Sequence, residues 1–154
     1  MNLIRFFKNK IKKKRIIFWS FFHPDNIFKF KYSNKAEMIA WEFVKNKLSN
    51  YNSLCEIGCF NGRIIIILRE FLKNKKYVGF DLNIFAILIA KTLNYIIWKN
   101  KYSFHWQNGS FSAYQDSELL ISIATLIYFS EKELKRFISL LKLNKTLKAV
   151  LIHE

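Results

Sequence analysis

The residues best equipped for chemistry lie in one short stretch and at one position beyond it. Glu56, Gly58 and Gly62 stand in the order acid-x-Gly-x-x-x-Gly within Ser53 to Gly62, and Asp81 closes the next apolar run. The chain holds only four glycines, and two fall in this one turn. Glycine takes positive φ without steric cost and lets a ligand approach the backbone. The spacing therefore predicts a special turn at the carboxyl end of a strand. The N–H groups of the following helix would then point into a crevice. A dinucleotide fingerprint, Gly-x-Gly-x-x-Gly, would need glycine at Phe60 and Arg63 and fails at both. An acid at the end of the next strand can accept ribose hydroxyls, or cap the helix that begins near Asn83; Asp81 is placed for either role.

Alternating elements must position these groups. Asn34, with Glu37 as reciprocal partner, caps a predicted helix from about Lys35 to Leu48. Leu54 to Ile57 reads as the first strand, and Arg63 to Phe71 as a helix with a buried run, Ile64 to Leu68. Lys75 to Asp81 is the second strand. Gly79 lies inside it, where glycine weakens pairing unless a ligand or backbone comes close. Ile84 to Trp98 reads as a long, mostly buried apolar helix, and Lys101 to Gln107 alternates as a third strand. The loop Asn108-Gly109-Ser110 carries the fourth glycine. Glu118 to Ile123 is continuous and apolar, as a central parallel strand should be. Ser130 and Glu133 form a capping box for a helix through about Leu143, and Thr146 to His153 is a fifth strand. All four glycines are thus expected around one crevice. An ordinary strand-helix turn of some other α/β protein remains the alternative for the turn taken alone.

Glu56, Gly58 and Gly62 together resemble the first motif of the class I S-adenosylmethionine-dependent methyltransferases, and the resemblance covers roughly Asn34 to the C-terminus. It implies a three-layer, Rossmann-like α/β fold with parallel strands in the order 3-2-1-4-5. The first helix would cover the cofactor crevice. It also implies S-adenosylmethionine as cofactor. Glu56, Gly58, Cys59, Phe60, Asn61 and Gly62 would shape the methionine pocket, with Glu56 near the amino group. Asp81 would hold the ribose and Leu82 would flank the adenine. Asn108, Gly109, Ser110 and Ala124 would complete the site. Phe60 stands where the family often has its middle glycine, and Ser110 where it often has an Asp that bonds the adenine amino group. The family sheet normally has seven strands, whereas five are read here, so an apolar edge is expected after the fifth.

The acceptor side yields exclusions. Exocyclic-amine nucleic-acid methyltransferases carry Asp/Asn-Pro-Pro-aromatic after the fourth strand, and cytosine-ring enzymes a Pro-Cys nucleophile. Here Ala124-Thr125-Leu126-Ile127-Tyr128 has neither. Thr125, Tyr128, His105 and His153 are candidates to face an acceptor, with structural roles favoured. The expected function is methyl transfer to a small-molecule, sugar or lipid-linked acceptor. The alternatives are a truncated, non-catalytic relative or a basic binding module.

At 154 residues the chain has room for one domain with a real core. Cys55 and Cys59 sit four apart with no further cysteines, which excludes a disulfide framework and gives no zinc set. The default setting is reducing and cytoplasmic. The net charge is +15. Ten Lys/Arg against one Asp within residues 1–35 account for +9 of it, leaving +6 for the rest. Residues 1–33 therefore read as a basic N-terminal segment, distinct from a domain over 34–154. Leu3, Phe7, Ile11 and Phe18 recur at helical spacing among lysines, as in a helix lying on an anionic membrane through residues 1–22. Packing of that helix on the domain is the competing reading. Nucleic acid is a less favoured partner.

Overall fold

The computed structural model describes residues 30–31, 35–106, 116–123 and 125–153. The N-terminal helix and membrane contact expected for residues 1–22, the Asn34 cap, the Asn108–Ser110 loop and Ala124 lie outside the described residues.

The elements in chain order are α1 (Lys35–Lys47), a 3₁₀ turn (Leu48–Asn50), β1 (Ser53–Ile57), α2 (Arg63–Ile67), α3 (Arg69–Leu72), β2 (Lys76–Asp81), α4 (Ile84–Trp98), β3 (Ser103–Trp106), β4 (Leu119–Ile123), a 3₁₀ turn (Leu126–Tyr128), α5 (Glu131–Leu143) and β5 (Ala149–His153). The five strands form one parallel sheet in the order β3-β2-β1-β4-β5. The expected order is therefore the observed one. Every residue of β1 is buried, and β4 is buried over Leu119–Ser122. Strands covered on both faces need such continuous apolar runs.

Crossovers in parallel sheets are right-handed. From β1 the chain steps outward to β2 and β3, and on the other side from β4 to β5, so the connecting helices fall on opposite faces. Two apolar clusters record this. Trp41, Val44, Ile64, Ile65, Leu68, Leu72, Ile87 and Ala90 pack with Leu54, Tyr77 and Phe104 on one face. Phe137, from α5, packs with Cys55, Ile57, Phe80, Leu120 and Phe129 on the other. Burying Phe137 alone is worth roughly 1.5–3 kcal/mol. Ser130 caps α5 through a complete capping box with Glu133, as its sequence predicts.

Two expectations need correction. The helix expected over Arg63–Phe71 is two short ones, broken at Leu68 (φ −102°, ψ 25°). Four successive isoleucines are stiff, weak helix formers, yet Ile64, Leu68 and Leu72 still share one buried face. The helix Ile84–Trp98 is not mostly buried. Ala86, Ile87, Ala90 and Asn94 face the sheet, while Leu88, Tyr95 and Ile96 are more than half exposed. A helix on one face of a sheet buries a single stripe, however apolar its remaining surface.

Candidate functional site

The turn after β1 runs through three left-handed residues: Gly58 (φ 85°), Phe60 (φ 50°) and Gly62 (φ 74°). A β-carbon at Gly58 would fall 1.8 Å from Thr125 Oγ1, and one at Gly62 would meet the Phe104 ring at 2.9 Å. Both glycines are thus required by conformation and by space. Phe60 takes the left-handed conformation where the resembling family often has glycine, so the shape of the loop survives the departure at a cost of about 1–2 kcal/mol. Its ring lies 5.8 Å from the Arg63 guanidinium.

Asp81 reaches back into this turn. Its Oδ2 accepts from the Phe60 N–H at 2.8 Å and its Oδ1 from the Asn83 N–H at 2.7 Å. The Leu82 N–H is a further donor. Burial raises the Asp81 pKa above the ordinary aspartate value, while these amides and Arg63 work against that rise. A carboxylate offers about four lone-pair sites. One remains for a ribose hydroxyl, and a second hydroxyl would share an oxygen with a backbone N–H. Helix α4 is capped by Asn83, whose Oδ1 accepts from the N–H groups of Phe85 and Ala86. Asp81 is therefore free of the capping role that sequence left open for it.

Glu56 is buried, and Tyr77 donates its hydroxyl to Glu56 Oε2. The register pairs Glu56 with Gly79, which makes Tyr77 its diagonal neighbour across the strands. Desolvation pushes the Glu56 pKa up to about 8. The Tyr77 hydroxyl and Arg63 hold it down, and Glu37 and Asp81 push it further up. Arg63, the first residue of α2, donates from Nε to Glu37 Oε1 at 3.1 Å, and its Nη2 reaches the same oxygen. This pair ties α1 to the turn. It also gives Glu37 a second role beyond the cap read from sequence.

Three of the chain's eleven acids, Glu37, Glu56 and Asp81, thus gather around one guanidinium in a chain of net charge +15. Sequence reasoning found Glu56 and Asp81 but missed Arg63, Tyr77 and the role of Glu37. Only the i, i+2 alternation of β2 hinted at Tyr77, and nothing along the chain linked Glu37 to Arg63. Trp106 was missed as well. It stands opposite Asp81 in the register, is half exposed, and donates its indole N–H to the Leu82 carbonyl at 2.9 Å.

The other predicted residues fall as follows. Asn61 is buried, and its Oδ1 accepts from the Arg63 N–H at 3.1 Å. Cys59 is fully buried, with its thiol pKa pushed up by desolvation. Its N–H donates to the Phe80 carbonyl at 3.0 Å and its thiol to the Phe60 carbonyl at 3.8 Å. Gly79 is explained by that cysteine: a β-carbon there would lie 2.7 Å from the thiol sulfur. It makes room for packing, not for a ligand. His105 stacks on Phe80, with burial and Lys91 lowering its pKa. His153 lies exposed at the end of β5. Among the described residues no group of three or more His, Cys, Asp or Glu could hold a metal ion, and no helix is long and apolar enough to cross a membrane.

No family model matches the sequence, and no curated protein does. Solved structures do match in fold. Magnesium protoporphyrin IX methyltransferase (ChlM) from Synechocystis PCC 6803, with bound SAM, superposes with a TM-score of 0.62 at 17% identity, covering 87% of this chain and 72% of its own. The plantazolicin methyltransferase BpumL, in complex with SAH, gives 0.61 at 19% identity over 92% of this chain and 58% of its own. StiE O-MT gives 0.53 at 16% identity over 64% of this chain and 38% of its own. The chain thus spans less than two thirds of the length of the last two. Sheet order, glycine turn and superposition agree that this chain has the Rossmann-like fold of the class I S-adenosylmethionine-dependent methyltransferases.

Proposed function

We propose that the chain binds S-adenosylmethionine in the crevice at the carboxyl ends of β1 and β2 and transfers its methyl group to a small-molecule, sugar or lipid-linked acceptor. The observation that carries the reading is the convergence of Glu37, Glu56 and Asp81 on the glycine turn, with Asp81 bonded to the Phe60 amide. In a basic chain, a buried acidic cluster of this kind suits a ligand that carries positive charge. Asp81 would take a ribose hydroxyl. Glu56, ionised by the ligand, would hold the amino group. The turn amides would line the methionine moiety, and Leu82, with Trp106 beside its carbonyl, would flank the adenine. Asn108, Gly109, Ser110 and Ala124 are proposed to complete the site.

A sulfonium cofactor supplies an activated methyl group and leaves as a neutral thioether. This chain's residues then have to hold donor and acceptor in line and exclude water. Residues 1–22 are proposed as an anionic-lipid contact, tested by the loss of vesicle binding on replacing Lys12, Lys13 and Lys14 with Gln. The central test is a calorimetric titration with S-adenosylmethionine. Binding tighter than about millimolar is expected, weakened at least about tenfold in Asp81→Ala for a lost charge-assisted bond. A folded protein that binds no S-adenosylmethionine, or an unchanged Asp81→Ala, overturns the proposal.

A further inference from the structure

The outer face of α4 has no role in the crevice. Ile84, Leu88, Tyr95 and Ile96 follow one another at helical spacing on this face, exposed by 43%, 53%, 69% and 68%. Thr92 lies among them, but its hydroxyl donates to the Leu88 carbonyl at 2.9 Å, so it breaks the apolar stripe little. Lys91 borders the stripe, and Lys99 follows at the helix end; both are exposed. From residue 82 to residue 115 the chain contains three lysines and not one Asp or Glu. We infer that this face of α4 docks on the surface of a bilayer containing anionic lipid, the helix lying in the interfacial plane.

Charge selects this occupant. A second copy packed face to face would bring Lys91 and Lys99 of both copies together, with no acid in the segment to offset them. The chain's own N-terminal segment is basic too, with ten Lys/Arg against one Asp in residues 1–35. An apolar stripe edged by lysines, with a tyrosine at its margin, matches an interfacial helix over acidic headgroups. The helix starts at Asn83, two residues from Asp81, so docking would set the rim of the crevice beside the lipid. That consequence for an acceptor dissolved in the bilayer rests on the proposed methyl transfer; the docking does not.

The test is co-sedimentation of the full chain with phosphatidylcholine vesicles, with and without phosphatidylglycerol. Binding is expected only when phosphatidylglycerol is present. Leu88→Glu combined with Ile96→Glu should weaken it at least about tenfold. Lys91→Gln and Lys99→Gln, which spare the apolar contacts, should each weaken it about fivefold, the factor that about 1 kcal/mol per lysine corresponds to. Thermal unfolding midpoints within a few degrees of wild type show that the variants fold; should the double variant fail, the lysine variants decide alone. Equal binding to neutral vesicles overturns the inference, as does unchanged binding in the folded variants. Concentration-dependent dimerisation abolished by the Leu88/Ile96 change, without vesicle binding, overturns it in favour of a second copy.

Discussion

Glu56 should make cofactor binding depend on pH in a defined direction. Its folded-state pKa is about 8, raised from an ordinary 4.5 mainly by burial. At about pH 7, one unit below this value, roughly nine in ten of these carboxyls hold their proton. Ionising the group to receive a cationic amino group then costs about 1.4 kcal/mol. Affinity for S-adenosylmethionine should therefore climb close to tenfold per pH unit below about pH 7. It should flatten near pH 8, where the ligand's own amino group also begins to titrate. Binding at about pH 7 should release close to one proton, measurable as a difference in calorimetric enthalpy between buffers of unequal ionisation heat. In Glu56→Gln both the slope and the proton release should vanish. The ligand-free protein should show the opposite trend in stability. A carboxyl whose folded pKa lies above its unfolded one binds more protons when folded. Its contribution is therefore present at low pH and lost as pH rises from about 4.5 through about 8, by several kcal/mol at most. Affinity independent of pH between about 6 and 8, with no proton release, would refute the placement of Glu56 beside the ligand's charge.

Three other perturbations test the turn. Gly58→Ala forces a side chain into the left-handed region and against Thr125, and should cost about 2–5 kcal/mol in chemical denaturation, partly restored by Thr125→Gly in a double-mutant cycle. Arg63→Leu leaves Glu37 buried without its guanidinium, and should cost about 3–5 kcal/mol while moving the Glu56 titration to higher pH. Ser130→Ala removes one half of the capping box, and should lower stability by about 1 kcal/mol while leaving cofactor affinity unchanged.

Much of this architecture was legible along the chain because its signals are local. Strand period, the glycine pair at 58 and 62, the Ser130 capping box and the order of apolar runs all act within a few residues. Together they give five strands alternating with helices, while the sheet order, which is the one observed, followed from the resemblance that the glycine motif carries. Asp81 was legible for the same reason, as an acid ending a strand. What sequence misjudged depends on distant neighbours. Gly79 reads as a gap for a ligand until the Cys59 thiol is seen to fill it. Helix α4 reads as buried because composition does not tell which stripe meets the sheet.

The sequence alone determined a Rossmann-like chain with a special turn after its first strand and an acid after its second, since turn chemistry and hydrophobic period are properties of consecutive residues. Only the tertiary structure decided that Arg63 bonds Glu37 within electrostatic reach of Glu56 and Asp81, and that Tyr77 donates to Glu56. The three acids are 19 to 44 positions apart, and electrostatic energy depends on distance in space through a low-dielectric interior rather than on separation along the chain.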